Sequence, residues 1–182
     1  MDEEQLIERL QTSAPSCLES FKITSAHLPE PFDDNPCSLW QVSCRCGNSR
    51  GQLLGYPLKD YNHEYAGPEC FLSPIAFGCD ACKAVTEILD TDRHGYHAEV
   101  ARREGGEIGS VKLRGKGPRQ PFSCPSCGGQ VFGVTVGFVF WYPDELAEEF
   151  EDSWEELFSV FLCHCKCSDC GQMSQPTDFG KL

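Results

Sequence analysis

Four short cysteine pairs constrain this chain more than any other feature: Cys44/Cys46, Cys79/Cys82, Cys124/Cys127 and Cys167/Cys170. Three have CxxC spacing, and the first, in CRCG, has one residue fewer. A CxxC turn presents two sulfurs to one cation while its backbone amides bond to the thiolates. Two such knuckles close a tetrahedral four-sulfur site. The glycine after the second cysteine of CPSCGG and CSDCGQ helps, because the chain turns there through positive φ. Eight cysteines in four pairs therefore predict two zinc ions per chain. If neighbouring pairs share an ion, each site stays within one half of the chain. If the first pair joins the third and the second joins the fourth, the halves are cross-braced. The sequential arrangement is the expectation.

Thirteen cysteines could instead form a disulfide framework in an oxidising compartment. The N-terminal MDEEQLIERL has neither the basic nor the apolar region of a signal peptide. The longest uncharged apolar stretch, residues 131–142, has twelve residues, whereas a membrane helix needs about 20. The expectation is a cytoplasmic chain with no membrane span and with thiolates rather than disulfides. A redox CxxC needs a helix N-terminus to tune its thiolate, but CDACK and CPSCGG stand between strand-like segments. Cys17, Cys37 and Cys70 are isolated and read as core or surface thiols.

The stretch FLCHCKCSDCGQ crowds Cys163, Cys165, Cys167 and Cys170 around His164. Only Cys167 and Cys170 have knuckle spacing, and a site made from this stretch alone would orphan Cys124 and Cys127. Cys163 and Cys165 precede the knuckle on a strand, where alternation points His164 to the opposite face.

Residues 3–11 place Leu6, Ile7 and Leu10 at helical spacing. Four prolines and no periodicity mark residues 13–37 as irregular. Next, SLWQVSCRCG alternates Leu39, Gln41 and Ser43 against Trp40, Val42 and Cys44, as a strand does. Each cysteine pair is flanked in this way by strand-like segments, two units in each half. The divisions are 1–37, an N-terminal helix and irregular segment; 38–102, a first zinc-binding β unit; 103–118, a glycine-rich connection; and 119–182, a second zinc-binding β unit. Asp144 after Pro143 reads as an N-cap for an acidic helix over 144–156.

A formal net charge of −13 disfavours nucleic acid as a partner. The charge is uneven: seven Lys/Arg face three Glu between Arg93 and Arg119, while residues 144–156 carry eight acids and no base. DTDRHGYHAE collects Asp90, Asp92, His94, His97 and Glu99, a set able to make a hydrolytic site. Gly95 among polar residues also reads as a hairpin turn.

SCPSCGG with CSDCG resembles a zinc ribbon over residues 119–176. CRCG and LCHCKCSDC also resemble the glutathione-dependent formaldehyde-activating (Gfa-like) family, which implies a small zinc enzyme on a zinc-bound β fold. The fold class expected is mainly β: two zinc-ribbon-like units, separate or sharing one core, with a short N-terminal helix and the acidic helical segment. With four cysteine ligands in each, the sites are closed, and closed sites are structural. The function expected is a non-catalytic module that binds another protein, a basic one suiting the acidity and Trp141, Tyr142 and Trp154. The rival is a zinc enzyme, Gfa-like or using His94 and His97.

Overall fold

The structure, a computed structural model, describes residues 3–27, 35–104, 114–141 and 148–177. Its strands are β1 (Lys22–Ser25), β2 (Cys37–Ser43), β3 (Arg50–Pro57), β4 (Phe71–Cys79), β5 (Val85–Leu89), β6 (Gln120–Pro121), β7 (Phe132–Phe140), β8 (Phe158–Cys167) and β9 (Met173–Ser174). Two α-helices, α1 (Glu3–Thr12) and α2 (Tyr96–Glu104), and short 3₁₀ segments complete the described elements. None of the described helices is long and apolar enough to cross a membrane.

Alternation does what the sequence implies. In β2, Ser38, Trp40 and Val42 are buried between more exposed neighbours. In β7, Phe132, Val134, Val136, Phe138 and Phe140 line the interior, as the period of two requires. β4 is buried at every position and lies between β3 and β5.

The nine strands among the described residues join in one curled antiparallel sheet, so the mainly β class holds. The path runs β1-β2-β7-β3-β4-β5, with β8 on the other side of β7, β9 beyond β8, and β6 against β3. β7 ties the halves together. It pairs with β2 through Thr135–Val139 and with β3 through Phe132 and Gly133. One apolar cluster, running from Leu6 to Cys167, fills the interior beneath both halves. Phe138 packs edge-on against Phe158 with ring centroids 4.7 Å apart.

One row across the sheet positions the cysteines. Cys79 faces Gly51, Gly51 faces Phe132, and Phe132 faces Cys167. All four knuckles therefore gather at one end of the sheet. Cys79 and Cys167 stand three strand spacings apart, roughly 14 Å measured along the sheet. Gly51 permits this junction, because a Cβ there would stand 2.3 Å from the Gly78 carbonyl oxygen and 2.6 Å from the Phe77 ring.

Four local readings change. The stretch read as irregular contains β1, a four-residue strand on the edge of β2. The turn at Gly95 (φ +91°) leads into α2 rather than back along a strand. The acidic segment is 3₁₀ over Glu148–Glu156, with Ser153 outside helical geometry; its expected cap, Asp144, lies outside the described residues. Trp154, expected to meet a partner, is buried in the core, and Trp141 is half-buried against Tyr96 at 5.8 Å. Tyr142 also lies outside the described residues.

The acidic run is a brace. Glu155 accepts from Arg9 of α1 at 2.5 Å, and Glu156 accepts from the Ser16 amide and hydroxyl at 2.7 and 2.9 Å. Burial pushes the Glu156 carboxyl up despite those two bonds. Asp152 and Ser153 meet Arg103 of α2, whose guanidinium stacks on Phe150 at 5.0 Å.

Candidate metal centres

Each knuckle closes with its own pair of backbone bonds. The Cys79 amide donates to the Ala84 carbonyl, and Lys83 donates back to the Cys79 carbonyl. Cys124 with Gly129 and Gly128, and Cys167 with Gln172 and Gly171, repeat this pattern residue for residue. The first knuckle is one residue tighter: Cys44 donates to Asn48, and Gly47 donates back to Cys44. That is the physical content of CxC against CxxC.

The residue after the second cysteine is left-handed at all four turns. Gly47, Gly128 and Gly171 have φ of +94°, +76° and +75°, and Lys83 has φ of +61°. Glycine at CPSCGG and CSDCGQ is thus used as the sequence implies. Lys83 takes the same conformation with a Cβ.

The sulfurs meet in two groups, Cys44/Cys46/Cys79/Cys82 and Cys124/Cys127/Cys167/Cys170, in each of which all four atoms lie within 4.8 Å of one another. The fold thus adopts the sequential arrangement. In each knuckle the first cysteine is buried and the second exposed. Close contacts run reciprocally, first cysteine to second across the pair of knuckles. Cys44 lies 3.5 Å from Cys82, and Cys46–Cys79, Cys124–Cys170 and Cys127–Cys167 are each 3.6 Å. These distances are far from a disulfide's roughly 2.05 Å, and all thirteen cysteines are free thiols. They match the tetrahedron edge of about 3.8 Å that follows from metal–sulfur bonds near 2.3 Å. Each group could hold a metal ion.

The electrostatics agree. Amides of Cys82, Asn48 (side chain) and Ala81 outweigh burial and draw the Cys79 thiol down to about 6. Cys44, in the same group, rises to about 11: the Cys46 amide lowers it, but burial and the neighbouring thiols prevail. In the second group burial raises Cys124, yet amides of Ser126 and Cys127 bring it down to about 7. Cys127 goes up to about 12, the Gly129 amide being outweighed by the thiols of Cys170 and Cys167. In each group, then, amide donors draw one thiol down while crowding by neighbouring sulfurs pushes another up.

No protein-family model, curated protein or solved structure matches the chain.

Cys163 and Cys165 are fully buried on the inner face of β8 and stand outside both groups. His164 lies half-buried on the opposite face, its imidazole lowered by burial. Cys17 and Cys70 are buried, and burial lifts Cys37, which is half-buried, to about 11.

The Asp90–Glu99 set does not converge on a metal position. Asp90 is buried and accepts both guanidinium nitrogens of Arg114, at 2.6 and 2.7 Å, and Arg114 also meets Asp92. His94 Nδ1 accepts the Asp90 amide at 3.0 Å, which closes the turn. His97 is exposed on α2, beside Tyr96, and Glu99 is buried beneath Arg102 and Arg103. The arginines of the locally basic stretch are likewise engaged: Arg93 and Arg119 hold Glu87, and Arg114 holds Asp90. They form an internal ion-pair network rather than an open cationic face.

Two residues of the first centre escape sequence reading. Asn48 donates its side-chain amide to Cys79 Sγ at 3.4 Å and to the Arg50 carbonyl. Lys83 occupies the place of a turn glycine. The one available signal was CDACK itself, where lysine stands at the position that glycine holds in CPSCG and CSDCG.

Proposed function

We propose that the chain is a zinc-stabilised, non-catalytic module that binds another protein in a reducing compartment. The observation that carries this reading is the donor set. Each centre offers four cysteine sulfurs at tetrahedral spacing, and a tetrathiolate site closed in this way leaves no position for substrate. Zinc suits four thiolates and a tetrahedron because it has no d-electron geometric preference and no redox chemistry. Bound there, each ion would act as a cross-link between two hairpins. Cys44, Cys46, Cys79 and Cys82 would hold one ion, and Cys124, Cys127, Cys167 and Cys170 the other.

A hydrolytic rival would need an imidazole with a free face and nearby carboxylates. His94 has its Nδ1 engaged on the Asp90 amide, and Asp90 is engaged by Arg114. The surface supports a binding role in a different way. The outer face of the knuckle end carries exposed Arg50 and Lys166 on either side of Gly133, whose missing side chain leaves open space, with Met173 (51% exposed) completing the row.

The test is affinity capture by the reduced, zinc-loaded chain, followed by reconstitution of the complex from purified components. A stoichiometric complex that survives reconstitution is expected. Acceleration of adduct formation between glutathione and formaldehyde by the purified chain would overturn the non-catalytic reading in favour of the Gfa-like one.

A further inference from the structure

Among the described residues most lysines and arginines hold a carboxylate, whereas Lys22, Arg45, Arg50, Lys116 and Lys166 hold none. All of these but Lys116 stand at the knuckle end of the sheet. Arg45 is spent on the Glu19 and Ser20 carbonyls. The other three are exposed and share the outer face, turned away from the core.

The register places them in two neighbouring rows, because residues that face each other across a strand pair project to the same side. In the first row Arg50 faces Gly133, Gly133 faces Lys166, and Lys166 faces Met173. Lys22 faces Ser43 at the same end, with its Nζ 3.9 Å from where a Cβ on Gly47 would stand. In the second row Thr24 faces Gln41, Gln41 faces Thr135, and Thr135 faces His164. No carboxylate belongs to either row, although the chain as a whole carries a net charge of −13. The face is open at its centre, since a Cβ on Gly133 would meet nothing within 4 Å. It also holds an unmet polar atom: His164 Nε2 is buried and has no hydrogen-bond partner among the described residues.

This chemistry selects an anion presented on an extended chain. Arg50 and Lys166 stand two strand spacings apart, roughly 10 Å along the sheet, and Lys22 and Lys166 three spacings, roughly 14 Å. Carboxylates two and four residues apart on an extended peptide lie about 7 and 13 Å from each other, within reach of these long side chains. The hydroxyls and amides of Ser43, Gln41 and Thr135 can bond a peptide backbone, and Met173, 51% exposed, offers an apolar contact at the end of the row. Nucleic acid fits less well. None of the row residues is aromatic, so no base would stack there, and the net charge repels a long polyanion. A short acidic segment feels mainly the local cations, because charges beyond about 8 Å are screened at physiological salt.

We propose that this face docks an acidic, extended segment of a partner protein, which crosses the strands above Gly133. This rests on the protein-binding reading above and names the chemistry of the partner. Lys22, Arg50 and Lys166 pair with its carboxylates, and the absent side chain of Gly133 lets its backbone approach the sheet.

The test titrates the full-length, reduced, zinc-loaded chain into a fluorescein-labelled peptide of alternating Glu and Ser ending in Leu, followed by anisotropy. Saturable binding that weakens with added salt is expected. Arg50→Glu and Lys166→Glu should each weaken it about tenfold, and Gly133→Val should do so by filling the space above the sheet. Lys116→Glu changes the net charge equally but lies off this face, and should leave affinity unchanged. All four variants should keep the metal content and thermal transition of the wild type. Absence of peptide binding, indifference to the three face variants, tighter binding of a labelled oligothymidylate, or loss of metal with loss of binding would each overturn the proposal. A captured protein that reconstitutes equally well with Arg50→Glu and Lys166→Glu would overturn this face and leave the protein-binding reading intact. Failure of any complex to reconstitute would refute that reading itself.

Discussion

Cys44 Sγ and Cys82 Sγ lie 3.5 Å apart although 38 residues separate them in the chain. The contact joins the turn after β2 to the turn after β4, two strands that are not neighbours in the sheet. A metal ion at this position would tie together parts of the structure that backbone hydrogen bonding leaves independent. The strand order thus gives each centre a mechanical task.

The crowded stretch at residues 161–172 yields a clean division of labour. Cys163→Ser and Cys165→Ser should each retain both ions, because both sulfurs lie outside the groups. Each buries a hydroxyl at zero exposure, at a cost of about 1–3 kcal/mol if it finds no partner. Cys167→Ser or Cys170→Ser should lose one ion and destabilise the region around β8 and β9. Metal stoichiometry and thermal denaturation on the four variants check this. Retained stoichiometry in Cys170→Ser would count against the second centre.

Gly51 should tolerate no side chain. It stands between Cys79 and Phe132 in the row that carries both centres, and a Cβ would meet the Gly78 carbonyl oxygen at 2.3 Å. Gly51→Ala should destabilise by about 1–3 kcal/mol or more through forced backbone displacement. Chemical denaturation measures it, and a change within about 0.5 kcal/mol would contradict the junction described.

How much of this was legible beforehand follows from the range of the signals. The knuckles and their flanking strands are local patterns: alternation in SLWQVS and the CxxC spacings appear in the structure where they were read. Strand order is not local. Nothing in the pattern of β2 says that its partner is β7, almost a hundred residues later, because pairing depends on which buried faces fit together. β1 is four residues on an edge, too short for periodicity. α2 begins at a glycine turn whose local chemistry equally suits a hairpin. Trp154 lies amid the six acids of residues 148–156, and it is buried while Glu155 and Glu156 reach outward to Arg9 and Ser16. The arginines looked like a free basic segment because their partners, Glu87 and Asp90, lie elsewhere on the sheet and its turns.

Stability should depend on pH through His94. Burial, reinforced by Arg93, holds its imidazole below the ordinary range against the opposing pull of Asp90 and Glu87. The unfolded chain, with an imidazole near about 6.5, therefore takes up the proton first. The contribution of His94 is present above that value and is lost as pH falls through the lower folded value. Protonation also removes the Nδ1 acceptor from the Asp90 amide. Between pH 7 and 5.5 the wild type should lose more stability than His94→Gln, as thermal denaturation would show, and parallel curves would contradict the role. Neither His94→Ala nor His97→Ala should change metal content.

The most direct test of the account is metal content measured by elemental analysis on the purified chain, prepared under reducing conditions without added metal. Two zinc ions per chain are expected, one for each four-cysteine group. Removing them with a strong chelator should loosen the fold, since structural zinc contributes about 10–16 kcal/mol of apparent binding free energy in small zinc-dependent folds. Folded, soluble protein with essentially no bound metal would contradict the central claim.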